Sequence, residues 1–224
     1  MKEGGIVNAV ILACRTLEAE LNRAISNTSC PYPVIWLEAG DHNVPHRRRE
    51  AVLAALERCC GYDTVLMAMA HCGGALEGIE SKNITLVIPC CDDCLTILLG
   101  SHRKRKECAG LYLLTKGWMD GRKSILTEYE HCLQVYGESR TRRIFTEMFR
   151  NYQGIGLISC EEEAEKLNRA EEFADCLQLP VVRISGTTAY LEALLTGPWD
   201  DARFQVIRPG QKIERIIRGG EDHA

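Results

Sequence analysis

Four cysteines follow stretches of chain that have the length and apolar composition of buried β-strands. They are Cys14, Cys72, Cys94 and Cys160. The carboxyl ends of parallel strands meet at one edge of a sheet, so we predict that the four thiols gather there. Soft thiolates select zinc, copper(I) or iron–sulfur clusters over magnesium or calcium. The sequence therefore predicts a metal site made by these cysteines, with an iron–sulfur cluster as the first expectation and zinc as the alternative.

The spacing of the cysteines is not that of a known compact motif. The chain has 12 cysteines, and most are expected to be small apolar core residues; inert packing is the alternative for each of the four as well. One Cys-x-x-Cys segment is present, Cys91 to Cys94, with no second pair at zinc-finger spacing and no ferredoxin pattern. Its two aspartates disfavour thiolates, which argues against a thioredoxin-type dithiol. The predicted site is thus assembled from distant segments.

Four further residues are candidates for binding a cofactor. His42 follows the second predicted strand, where it could be a ligand, an acid/base or simply a cap of the next helix. Gly73 and Gly74 would let the backbone approach a bulky cofactor or take a positive φ. Trp118 could cover a cofactor or close the core, and the glycine before it predicts a close backbone approach. The fourth metal ligand stays open between Cys160, Cys91, His42 and an exogenous group, and no catalytic residue is assigned.

Short apolar stretches alternate with longer stretches of helical periodicity. This alternation is typical of an α/β protein, and we predict a Rossmann-like fold with mostly parallel sheets and helices on both faces. The predicted arrangement has an N-terminal half, 1–115, which carries most of the thiols, and a C-terminal half, 116–224, packed against it. Predicted strands cover 7–13, 34–37, 63–70, 84–89, 111–114, 154–159 and 180–184, with 204–207 as an edge strand. Predicted helices cover 16–25, 45–60, 93–99, 124–151 with a break near Gly137, 161–177 and 187–195.

One predicted helix carries three consecutive arginines. In the helix at 45–60, Val52, Leu53 and Leu56 form the apolar side. We expect the run of arginines at 47–49 to lie on the opposite, polar side.

Charge and hydropathy exclude several classes of protein. The formal net charge is -4, which argues against a general attraction to nucleic acid or to an anionic membrane. No apolar stretch approaches the length of a membrane-spanning helix, and the amino terminus has no export signal. We therefore expect a cytoplasmic protein whose cysteines are reduced.

Seven short segments occur in this order along the chain: Ala13-Cys14, Asp41 to Pro45, Ala70 to Gly74, Asp93-Cys94 with Leu98 to Ser101, Lys116 to Trp118, Asn151-Tyr152 and Thr196 to Asp200. Taken together, these segments resemble the DUF1638 family of α/β proteins from anaerobic archaea and bacteria. The resemblance implies that Cys14, Cys72 and Cys94 are the shared thiols, that His42 is the shared histidine, and that the protein is associated with corrinoid-dependent methyl transfer. Asp92 departs from the family pattern, which has histidine there, and Cys160 stands in place of a glycine-type residue.

The first functional expectation is a cysteine-ligated metal or iron–sulfur protein that serves redox or methyl-transfer metabolism. It would work with a redox protein or with a corrinoid or methyltransferase protein as its partner. One alternative is a corrinoid-binding or accessory module with His42 as axial ligand, although the chain lacks the Asp-x-His-x-x-Gly pattern of common cobalamin domains. The other is a metal-free thiol enzyme in which Cys72 is the nucleophile.

Overall fold

The computed structural model describes residues 8–38, 44–121, 124–160 and 164–214, without the side chains of 164–167. Helices and strands alternate along these residues, and the protein is α/β, as predicted. The strands are β1 (Ala9–Cys14), β2 (Val34–Leu37), β3 (Thr64–Ala68), β4 (Thr85–Pro89), β5 (Leu111–Leu114), β6 (Gly154–Ser159), β7 (Val181–Ser185) and β8 (Phe204–Ile207). The helices are α1 (Glu18–Thr28), α2 (Pro45–Glu57), α3 (Cys94–Leu99), α4 (His102–Glu107), α5 (Lys116–Met119), α6 (Ile125–Tyr136), α7 (Glu138–Phe149), α8 (Ala164–Leu177) and α9 (Ala189–Thr196), with a 3₁₀ turn at Arg15–Leu17 before α1.

The strands form two sheets. The first has the order β2-β1-β3-β4-β8, in which the first four strands are parallel and β8 pairs antiparallel to β4 at the edge. The second is fully parallel, with the order β5-β6-β7. Parallel pairing requires a crossover between successive strands. Helices supply it after β1, β2, β5 and β6, whereas β3 and β4 are joined by a segment of turns.

The first sheet is buried on both faces, which explains why its strands are almost continuously apolar. Along β1, Ile11 and Ala13 belong to one core, and Val10 and Leu12 belong to the core on the opposite face. Side chains alternate between the two faces of a strand, so one strand supplies both cores. The central position of β1 and β3 therefore follows from their composition.

The second sheet has a core of its own, rich in aromatic side chains. Phe145 of α7 is fully buried there among Tyr129, Phe149 and Phe173. The strands do not follow the predicted boundary at 115/116, because β5 already belongs to the second sheet and β8 returns to the first. The division into two halves stays a prediction.

Local sequence features explain the break between α6 and α7 and the two short helices that the sequence did not predict. Gly137 has φ +75° and separates α6 from α7, at the predicted position. Helices α4 and α5 were not predicted as elements of their own, because both are short and lack apolar periodicity. Each begins at a polar cap, Ser101 and Thr115 respectively. Within the described ranges, no helix is long and apolar enough to cross a membrane.

Candidate thiol site

Three of the four predicted thiols lie at the carboxyl ends of adjacent strands. Cys14 is the last residue of β1, Cys72 follows β3, and Cys94, after β4, is the first residue of α3. Two backbone hydrogen bonds join the loops after β3 and β4: the N–H of His71 donates to the Cys91 carbonyl (3.0 Å) and that of Cys72 to the Asp92 carbonyl (3.1 Å). Strand order and loop pairing together place these three cysteines side by side.

The three thiols are in contact, and Cys94 is the central member. Its thiol is hydrogen-bonded to those of Cys14 and Cys72, and these contacts together with burial raise the pKa of Cys94 well above its usual range. Cys14 and Cys94 are buried, whereas Cys72 is half-buried. The structure therefore brings together three sulfurs from distant parts of the chain, as predicted. Their role as metal ligands stays a prediction.

Polar contacts fix two of these cysteines. The Cys14 sulfur lies 3.0 Å from the hydroxyl oxygen of Thr16. The Asp93 carboxylate caps α3 by accepting from the Thr96 N–H at 2.7 Å, and Arg105 holds the same carboxylate through Nε at 2.9 Å. Cys94, the residue after this cap, is thus held by the start of the helix.

The backbone beside Cys72 is left-handed at three successive residues. Cys72, Gly73 and Gly74 have φ values of +48°, +68° and +88°. Such a conformation is uncommon for a residue with a side chain, and strained residues of this kind cluster at functional sites. A Cβ placed on Gly73 would meet no atom within 4 Å, so the backbone there borders open space. Of the two predicted roles of Gly73 and Gly74, the structure shows the positive φ, and the approach to a cofactor stays a prediction.

A buried arginine faces the thiols, and sequence reasoning missed it. Arg48 of α2 is only 1% exposed, and its Nη1 donates to the Glu38 carbonyl after β2 at 3.0 Å. Its Nε and Nη2 have no oxygen or nitrogen partner within the described residues. Burial lowers the pKa of Arg48, but the attraction of the thiolate forms of Cys14, Cys72 and Cys94, together with a hydrogen bond to the Cys14 side chain, outweighs it, so the pKa is raised.

The expectation that Arg48 lies on the polar side of its helix is therefore wrong. Arg48, Val52 and Ala55 are all buried, and their spacing of four and three residues places them on one face of α2. The buried face of α2 therefore begins one turn earlier than predicted, at Arg48. That spacing is the signal that could have identified Arg48.

Cys160 lies elsewhere in the fold. It follows β6, which pairs only with strands of the second sheet, so the expectation that it shares a sheet edge with the other three cysteines is wrong. Its carbonyl accepts from Nη1 of Arg23 on α1 at 3.0 Å, and its sulfur lies 2.9 Å from where a Cβ on Gly186 would be. Its role as a fourth ligand stays a prediction.

The remaining candidates have different surroundings. Burial raises the pKa of the Cys91 thiol to about 12, although the hydrogen bond between this thiol and the Tyr190 hydroxyl acts in the opposite direction. Trp118 is partly buried on the short helix α5. His42 lies outside the described residues. Ligation by Cys91 would therefore require breaking its contact with Tyr190.

Gly117 confirms the predicted close backbone approach and connects α5 to the thiol site. A Cβ at Gly117 would lie 2.2 Å from the Thr16 carbonyl oxygen, far inside contact distance. Because the Thr16 hydroxyl contacts the Cys14 sulfur, α5 supports the segment that positions this thiol. Trp118 shares this short helix.

We expect Gly117→Ala to destabilise the protein by about 1–3 kcal/mol, the usual cost of overpacking, because backbone atoms must move apart. Urea unfolding would measure the loss. Gly121→Ala is the matched control, since its nearest non-neighbour atom lies at 3.5 Å, an ordinary contact. Equal stability of the two variants would contradict this packing.

As they stand, the thiols are arranged to hydrogen-bond with one another. In the part of the chain that the structure describes, no group of three or more His, Cys, Asp or Glu side chains has an arrangement that could hold a metal ion. Ligation would replace the S–H···S contacts by sulfur–metal bonds and release the thiol protons. The donor set suits a thiophilic metal, and the two guanidinium nitrogens of Arg48 that lack an oxygen or nitrogen partner among the described residues suit an anionic metal–thiolate unit.

Comparison with protein families supports the resemblance seen in the sequence. The family model described as "Protein of unknown function (DUF1638)" matches residues 36–195, more than half of the 224-residue chain. The chain belongs to the DUF1638 family. The DUF1638 match includes Cys72, Cys94 and Cys160, whereas Cys14 and the last of the seven segments lie outside it. Comparisons with curated proteins and with solved structures found no match.

Proposed function

We propose that Cys14, Cys72 and Cys94 hold a metal centre, an iron–sulfur cluster first and zinc as the alternative, which serves redox or methyl-transfer metabolism in the cytoplasm. One observation carries this proposal: thiols from three adjacent strand ends are in mutual contact through Cys94. A set of three protein thiolates also leaves a coordination position open, as catalytic metal sites require.

The surroundings of Cys72 support access to such a centre. Cys72 is the most exposed of the three cysteines, and open space lies above the adjacent Gly73. A substrate, or a redox or methyltransferase partner, would approach from this side. Cys91 is poorly suited to the fourth position, because its thiol is hydrogen-bonded to the Tyr190 hydroxyl. An exogenous group or His42 is the proposed alternative. When bound, the centre would supply electron transfer or a site that accepts a methyl group, and the thiols would hold it at the sheet edge.

The proposal is tested by purifying the protein anaerobically and measuring iron, acid-labile sulfide and zinc per chain. We expect iron and sulfide in equal amounts and a brown protein. Stoichiometric zinc without colour would reject the cluster and retain the thiol site. If neither purification nor anaerobic reconstitution with iron and sulfide, or with zinc, loads the protein, the proposal is wrong.

The same preparation separates the alternatives. Cys72 is the most accessible of the three thiols, since it is half-buried whereas Cys14 and Cys94 are buried. Rapid alkylation of Cys72 alone in a protein that binds no metal would favour the thiol enzyme. A spectral shift on titration with cobalamin would favour the corrinoid-binding module.

A further inference from the structure

The buried positive charge of Arg48 lacks a compensating carboxylate among the described residues, and a metal–thiolate unit would supply the opposite charge. Its guanidinium is buried and, among the described residues, no carboxylate forms an ion pair with it. Its Nη1 donates to the carbonyl of Glu38, the residue after Leu37, and Leu37 pairs with Cys14 across β2 and β1. The guanidinium thereby hydrogen-bonds with the Cys14 side chain and lies close enough to Cys72 and Cys94 to interact with them electrostatically. A buried charge is costly unless an opposite charge compensates it. The position of Arg48 therefore calls for an anion at the thiol site.

Counting charges identifies that anion. Three thiolates carry a total charge of minus three. A dipositive ion or a dipositive iron–sulfur core brings the charge of the metal–thiolate unit to minus one. Arg48 cancels the remaining charge, so the buried assembly is neutral. A monovalent ion such as copper(I) would leave one negative charge in excess, and a trivalent centre would leave one positive charge in excess. The charges of the thiolates, the metal and Arg48 therefore cancel only when the bound centre is dipositive.

We propose that Arg48 is the internal counter-ion of the metal–thiolate unit and tunes the site for dipositive centres, an inference that rests on the proposed thiolate ligation. Arg48 is a positioning residue in this scheme, since it acts on the metal through the thiolates. Binding of a dication displaces three thiol protons and leaves a unit of charge minus one. Arsenite, As(OH)₃, instead condenses with three thiols, releases three water molecules and leaves a neutral product.

The two probes therefore respond differently to the loss of the arginine charge. In metal-free, reduced protein at pH 7, we expect Arg48→Met to weaken cadmium binding roughly 30-fold or more, the effect of removing one partner of a buried charge pair. Arsenite binding should be unchanged or tighter. Arg48→Lys, which keeps the charge, should recover part of the cadmium affinity. Arg47→Met is the matched control, because Arg47 is exposed on the same helix, and it should bind both probes like the unmodified protein.

A second measurement separates this role from simple packing. Without metal, Arg48 faces uncharged thiols, and replacing an uncompensated buried charge by a hydrophobic side chain is often neutral or stabilising. We expect the metal-free Arg48→Met protein to unfold at the same or a higher urea concentration, while the stabilisation by cadmium shrinks. Equal weakening of cadmium and arsenite binding, or an unchanged cadmium affinity, would overturn the role of Arg48. If the unmodified protein binds neither probe, the thiol site itself fails.

Discussion

Replacing Cys94 by alanine is expected to abolish binding at the proposed metal centre. Cys94 is the thiol that contacts both Cys14 and Cys72, so its loss leaves two sulfurs without their common neighbour. Loss of a supporting residue around a metal typically lowers affinity 10–100-fold, and loss of a direct ligand should cost roughly 100-fold or more. Metal content after purification, followed by competition with a chelator, would measure the effect.

Cys108→Ala is the matched control for this variant. Cys108 is a buried cysteine of the same hydrophobic core as Cys94, 7% exposed against 4%, so both replacements remove a similar amount of packing. We expect Cys108→Ala to retain its metal in full. A Cys94→Ala protein that folds and keeps a full complement of metal would show that the contact of the thiols has another purpose.

Much of the fold could be predicted because the signal is local. Strands β2, β5, β6 and β8 have the predicted bounds, and the break at Gly137 has the expected position. Their composition and the turn residues beside them specify these elements without reference to the rest of the chain. The convergence of Cys14, Cys72 and Cys94 followed from one further rule, that parallel strands share their carboxyl edge.

The errors concern pairing between distant segments. Cys160 follows a correctly predicted strand, but no local pattern tells whether that strand pairs beside β1 or in a sheet of its own. Arg48 was assigned to the solvent side because charged residues are rarely buried unless they are paired. The partner that we propose for it, a thiolate-bound metal, would be held by residues from three other segments. Sequence reasoning therefore located the three thiols and missed the buried arginine beside them.

The two-sheet architecture predicts a second large effect, Phe145→Ala. Phe145 is fully buried, and its ring centroid lies 5.1 Å from that of Tyr129 and 6.1 Å from that of Phe173. Truncating such a side chain leaves a cavity, and we expect a loss of about 3–5 kcal/mol in the free energy of unfolding. Urea unfolding would measure it. Met148→Ala, on the same helix but 53% exposed, should change stability by less than about 0.5 kcal/mol.

Metal binding by the Phe145→Ala protein would test whether the second sheet contributes to the thiol site. Phe145 belongs to the core of the second sheet, whereas Cys14, Cys72 and Cys94 follow strands of the first. Protein that remains folded should therefore bind metal with unchanged stoichiometry and affinity despite its lower stability. Loss of metal in parallel with stability would mean that the second sheet shapes the site directly. Cys160, at the end of β6, would then be the first residue to test as its contribution.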